Sequence, residues 1–299
     1  MTDTGEDWQV ARRRKGAGKR TKSPQVSSSA STCCQEQLDI EKTVKRIRDT
    51  VSELRCEEFW LQWREQLMVA ASASLPNPSE NKDTEGQLEK GGEGRQWQQL
   101  QCVCYGLGSF SSCVSARYQL AMLLLLLEAG QIAVKDCSVY DPVFSCAEND
   151  VLKELGLTVL TENEEGKHLV TRPTLFYLMH CGKALYNNLL WKNWCTQHLS
   201  LMLIIGNSFS GMRERTIERE FQRDYIYISK AVDLCQETQL SCPSRMIDVF
   251  SDTAVITFPS NSLSTHPQST WAESPEPLYQ HCPDLEIILK ENRTVSGDG

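Results

Sequence analysis

The feature that most restricts what this 299-residue chain can fold into is the texture between Trp97 and Pro259. Short apolar runs of β type alternate there with longer stretches of helical period. Gln101–Tyr105, Cys137–Tyr140, Leu157–Leu160, Thr174–Met179, Leu201–Ile205 and Ala254–Phe258 read as strands. Ser112–Ala129, Ala147–Leu155, Gly182–His198, and stretches near Glu214–Arg219 and Tyr225–Cys235 read as helices. Strands that are apolar throughout are buried on both faces, and strands alternating with helices pair in parallel. The expectation is therefore an α/β fold, a Rossmann-like, mostly parallel sheet with flanking helices, over residues 97–259.

The flanks have a different character. Residues 1–36 are polar, with a serine run at Ser27–Ser31 and a basic cluster, Arg12-Arg13-Arg14-Lys15, and are expected to be disordered. The cluster has two readings, a nuclear address or a solvated basic tail. In 37–70, Ile40, Val44, Ile47, Val51 and Leu54 recur every three or four positions, the stripe of an amphipathic helix. Leu61 and Met68 continue it, and Trp60, Trp63 and Leu67 would widen it. Residues 71–96, with Pro76, Pro78, Gly86, Gly91, Gly92 and Gly94, read as a flexible linker that ends at a domain edge near Trp97. Residues 260–299 read as a polar tail in which Leu285–Leu289 could add an edge strand.

Charge and cysteine content remove several functions. Acidic residues outnumber basic ones 39 to 31, for a net charge of −8, so direct binding to nucleic acid is not expected. Neither an apolar run long enough to span a membrane nor the apolar core of a secretory signal is expected. The thirteen cysteines then belong to a reducing compartment, where free thiols act as small apolar side chains. No Cys-x-x-Cys occurs.

Open parallel sheets bind ligands beyond the carboxyl ends of their strands, so the residues after each strand are the candidate site. These are Gly106, Gly108 and Ser109 after the first strand and Asp141 after the second. Asn163 and Glu164 follow the third, His180 the fourth, and Gly206, Asn207 and Ser208 the fifth. The glycines would let a ligand approach the backbone, with an anion facing the next helix, or would only make a tight turn. Asp141 would accept hydrogen bonds from a ribose-like diol, or cap a helix. The dinucleotide motif is incomplete, because Ser111 stands where its third glycine belongs and Asp141 lies 33 positions beyond Gly108 rather than ~20. His180 is the candidate acid or base, or a hydrogen-bonded structural histidine. Ser208 lacks the following glycine of a hydrolase nucleophile turn, since residue 210 is serine. Two Cys-Pro dipeptides, at Cys242 and Cys282, are candidate haem contacts. A nucleotide-like ligand and haem are thus the two cofactors open to the chain.

Six ordered segments carry a resemblance. They are Cys104–Phe110 (CYGLGSF), Ala116–Glu128, Val139–Gly156, Asn163–Val170, Thr174–Trp194 and Ile204–Met212. Together they resemble the sensitivity-to-red-light-reduced (SRR-like) family over about residues 97–260. The resemblance implies a regulatory protein linked to circadian clock gene expression, to light signalling in plants and to regulation of haem biosynthesis. It further implies action through protein partners, in the cytoplasm and also the nucleus. It carries no established catalysis, so no catalytic residue is transferred. Matching positions include the ten strand-end residues named above together with Pro142 and Glu148. Met179 stands where a proline is expected before the histidine, which bears on how rigid that turn is. An enzyme using nucleotide or S-adenosylmethionine in the strand-end cleft, and a haem-responsive sensor, are the alternatives.

Overall fold

The computed structural model describes residues 39–74, 100–272, 275–280, 282 and 285–290. The basic tail, most of the linker with its edge near Trp97, and the residues from 291 onward lie outside the described residues.

Helix α1 (Ile40–Arg55) starts where the Asp39 carboxylate accepts the Lys42 N–H, an N-cap that satisfies one of the first turn's orphan donors. α2 (Glu58–Ser74) follows, so the helix expected over 37–70 is two helices with a break at Cys56–Glu57. The break resets the helical phase. Leu61, expected on the buried stripe, is exposed, while Phe59, Trp60, Trp63, Leu67 and Ala71 turn inward. Trp63 packs edge-on against Phe250 with ring centres 5.3 Å apart, and its indole N–H donates to the Ser241 carbonyl at 2.7 Å. The arm is thus part of the core.

The rest of the chain builds β1 (Gln101–Tyr105), α3 (Val114–Ala129), β2 (Cys137–Tyr140), α4 (Cys146–Glu154), β3 (Thr158–Val159), β4 (Thr174–Leu178) and α5 (Lys183–Lys192). Then come α6 (Thr196–Leu199), β5 (Met202–Asn207), α7 (Phe209–Glu214), α8 (Glu218–Asp224) and α9 (Ile226–Ala231). The last elements are β6 (Gln236–Gln239), α10 (Ile247–Phe250), β7 (Thr253–Thr257) and α11 (Ser260–Ser264). The expected Gly182–His198 helix stops at Asn193, whose side-chain amide donates to the Leu189 and His168 carbonyls and accepts the Val170 N–H. Leu285–Leu289 is not a strand but an irregular strap.

Among the described residues seven strands form one sheet in the order β3-β2-β1-β4-β5-β7-β6. β3, β2, β1, β4 and β5 are parallel, and β7 runs antiparallel between β5 and β6. The fold is the expected α/β sheet with helices on both faces. Alternation along β1 assigns its residues to two cores: Cys102 and Cys104 face the core built with α1, α2, α3 and α4, and Val103 and Tyr105 face the one built with α5, α7, α8 and α9. β4 and β5 are buried almost end to end, because both cores cover them. α3 is buried on most sides, as its Leu123–Leu127 run requires.

Chain order departs from neighbour order between β1 and β4, with β2 on the other side of β1. This is the switch point at which doubly wound sheets hold ligands.

Candidate functional site

Register brings the site together. Tyr105 pairs with Tyr140, and Cys104 with Tyr177, so Gly106, Asp141 and Met179 share the next row at the carboxyl edge. Beyond that edge lies a cleft of about 370 Å³, lined among others by Gly106, Asp141, Asn163, His180, Cys181 and Gly182. Four expected residues, Gly106, Asp141, Asn163 and His180, therefore meet there.

The glycine turn is built for close packing. Gly106 has φ +68°, and a Cβ there would strike the Cys181 sulfur. The Cys181 thiol donates to the Tyr105 carbonyl at 3.3 Å, and burial, with Asp141 and Glu286 nearby, pushes its pKa well up. Gly108 (φ +76°) gives its N–H to Asp141 Oδ2 at 2.7 Å, while Val143 gives its N–H to Oδ1 at 2.9 Å. Asp141 thus ties the β1 turn to its own loop. A carboxylate has about four lone-pair sites, so Asp141, half-buried at the wall of the cleft, keeps acceptor capacity beyond these two bonds.

Ser109 belongs to a second clamp. Glu148, 1% exposed, accepts at Oε1 from the Ser111 N–H (3.0 Å) and the Ser109 and Ser111 hydroxyls (2.7 and 2.8 Å). Its Oε2 accepts from the Ser145 N–H (3.0 Å) and hydroxyl (3.1 Å), closing a capping box on α4. Burial alone would raise this carboxyl's pKa. The hydrogen bonds from Ser145, Ser111 and Ser109 outweigh burial and hold it below the usual range. The anion seat expected at this turn is therefore partly filled: the N–H groups of Gly108 and Ser111 already meet protein carboxylates.

His180 has φ +52° and is exposed at the cleft. The Gln119 amide nitrogen lies 3.3 Å from its Nδ1 and donates also to the Val249 carbonyl, so Nδ1 accepts. Nε2 then carries the proton and faces the Ser251 carbonyl at 3.3 Å. Glu164 lies beside the cleft, accepting from the Tyr105 hydroxyl and contacting His168 Nδ1 at 3.0 Å. His168 lowers its pKa; burial opposes and the Tyr105 bond adds to the lowering. Asn163 accepts the Glu165 N–H and donates to the Ile288 carbonyl.

Gly206, Asn207 and Ser208 sit outside the cleft. A Cβ at Gly206 would strike the Tyr186 hydroxyl, which donates to the Leu178 carbonyl and accepts the Asn207 N–H at 2.8 Å. Ser208 is the N-cap of α7 and donates to Glu237 on β6, whose other oxygen accepts the Phe209 and Ser210 N–H groups. These three residues pack and cap the β5 turn.

Sequence reasoning missed the residues that close the cleft. The strap supplies Glu286, Ile287 and Ile288, and Glu286 lies against Gly182 at the start of α5. Only long-range folding shows this, since the strap is more than a hundred residues from β2. Cys242 packs with the core on one side of the sheet and Cys282 with the core on the other, so the two are not brought together. Burial raises both thiols. Among the described residues no cluster could hold a metal ion, and no helix is long and apolar enough to cross a membrane.

Comparison with known proteins decides the lineage. The SRR1 domain model matches residues 72–267. The chain belongs to the SRR1 domain family. It is 42% identical to the mouse (Mus musculus) SRR1-like protein over 240 residues, 76% of this chain and 95% of that one. It is 29% identical to the Drosophila melanogaster SRR1-like protein over 290 residues, 96% of this chain and 92% of that one. It is 37% identical over 138 residues to the Arabidopsis thaliana protein Sensitivity to Red Light Reduced 1, covering 46% of this chain and 49% of that one. The SRR1 match contains all of the cleft except the strap.

Proposed function

We propose that this SRR1-domain protein is a regulator of circadian clock gene expression and of haem biosynthesis, working through protein partners in the cytoplasm and nucleus. Its likeness to a plant protein named for reduced sensitivity to red light supports the connection to light and clock signalling. The observation that carries a regulatory rather than a catalytic reading is how the site spends its polar groups. Asp141 and Glu148 hold backbone N–H groups, and both His180 nitrogens face partners. Groups that hold the fold together in this way are the less free to act as acid or base on a substrate.

The test is removal of the protein from cultured cells carrying a luminescent clock reporter, with haem content measured in parallel. Loss should change the period or amplitude of the reporter and the haem level, and the full chain should restore both. Unchanged rhythm and haem would refute the proposal.

One observation favours a second reading, an enzyme that uses a nucleotide or S-adenosylmethionine: the cleft lies at the switch point of the sheet, where doubly wound enzymes work. A haem sensor would have to use Cys242 and Cys282 singly, given their separate faces. Haem titration of the full chain and of Cys282→Ser, followed at the Soret band, tests that role.

A further inference from the structure

We infer that the cleft at the β1–β4 switch point binds a ribonucleoside that carries no phosphate, neutral or cationic, with its ribose diol on Asp141. The inference rests on the regulatory reading only in treating the cleft as a binding site, and it names what that site would take.

Place and acceptor come first. In doubly wound sheets the acid at the end of β2 receives ribose hydroxyls, and Asp141 holds that position beside the Gly106–Gly108 turn. The two backbone N–H groups it accepts fix the carboxylate at the wall of the cleft and use two of its about four lone-pair sites. A volume of about 370 Å³ is at the small end of ligand sites and accommodates a nucleoside. Tyr140, Leu185, Ile287 and Ile288 provide apolar wall for a base.

Phosphate is excluded by charge and by occupied donors. Phosphate sites use backbone N–H groups at a helix start, cationic side chains, or both. Here Asp141 takes the Gly108 N–H and Glu148 the Ser111 N–H. At the start of α5, Glu286 of the strap packs against Gly182 and adds a carboxylate to that end of the cleft. Among the described residues lining the cleft are three carboxylates, Asp141, Glu165 and Glu286, one histidine, and no lysine or arginine. Lys167 pairs with Glu165, but among the described residues neither Asp141 nor Glu286 is in an ion pair. A phosphate brought into this field is repelled, while a neutral or positively charged group is accepted.

The experiment is calorimetric titration of the purified full chain with adenosine, S-adenosylmethionine, AMP and ATP. Adenosine or S-adenosylmethionine should bind, and AMP should bind at least about tenfold more weakly than adenosine, with ATP weaker still. Dideoxyadenosine, which lacks the diol, should lose about tenfold or more on the unmodified protein. Asp141→Asn should weaken adenosine and shrink the adenosine–AMP gap. Because Asp141 also joins two loops, the melting temperature of the unliganded variant is read alongside, and the dideoxy comparison stands even where the variant is unstable. Tighter binding of AMP or ATP, equal binding of dideoxyadenosine, or no binding by adenosine or S-adenosylmethionine would overturn the inference. A binding failure here would leave the clock and haem assays untouched, and a failure of those assays would leave a measured affinity standing.

Discussion

Replacing Glu148 by Gln removes one charge and one oxygen from the most heavily used carboxylate near the cleft. Both oxygens face a backbone N–H, Ser111 on one side and Ser145 on the other. The three serine hydroxyls can turn and accept from an amide, but a backbone N–H cannot. Whichever way the Gln amide sits, one N–H meets an NH2 and stays unsatisfied in a site that is 1% exposed. An unsatisfied buried donor costs about 1–3 kcal/mol, and hydrogen bonds that were charge-assisted become neutral ones, each about 1 kcal/mol weaker. With some relaxation the loss should be about 2–4 kcal/mol at pH 7. Urea unfolding followed by circular dichroism reads it, and a slope of ~2 kcal/mol/M places the midpoint about 1–2 M lower. The pH dependence has a definite sign. The native carboxyl sits below its ordinary range, so its stabilisation is full above the unfolded value of ~4.3 and fades as pH falls through the native one. The gap between native protein and variant should therefore narrow on acidification below about pH 4. A variant within ~0.5 kcal/mol of the native protein at pH 7, or a gap that widens in acid, would refute the reasoning.

Three further outcomes are expected. Gly106→Ala should lose about 1–3 kcal/mol of stability in thermal unfolding, because φ is +68° and the new Cβ meets Cys181. Arg55→Met should change stability by less than about 1 kcal/mol, since its partner Glu128 and Arg55 itself are both half-exposed, at 58% and 49%. Hydrogen exchange should be slowest in β4 and β5, which are covered on both faces, and faster in the polar edge strand β6.

The centre of the sheet was legible because its strands β4 and β5 are almost wholly apolar and buried, as runs covered by layers on both faces must be. β6 was not legible. Its sequence, Gln-Glu-Thr-Gln, has no apolar period, since an edge strand paired on one side needs none, and its Glu237 serves as a cap for α7. The break between α1 and α2 was hidden because Leu61 and Met68 continue the spacing of Ile40 through Leu54. Only the two-residue interruption at Cys56–Glu57 swings Phe59, Trp60 and Trp63 inward instead. Of the candidate site, the strand-end rule named Gly106, Asp141, Asn163 and His180, which line one cleft. It also named Gly206, Asn207 and Ser208, which lie away from that cleft and serve a packed tyrosine and a helix cap. The rule had no means of finding Glu286 and Ile287, because a strap that returns from the far end of the chain leaves no local periodic signal.

If the proposal is right, the switch-point cleft, and not another surface, receives the ligand. The direct measurement is a map of backbone amide shifts in isotopically labelled full-length protein during titration with adenosine. Shifts should concentrate at Gly106, Asp141, Val143, His180, Cys181 and Gly182, and extend to Glu286–Ile288 on the strap. Shifts confined to a second hollow lined by Trp191, Trp194 and Trp271, or to the surroundings of Cys242, with the β1 and β4 turns unmoved, would show that the ligand binds elsewhere.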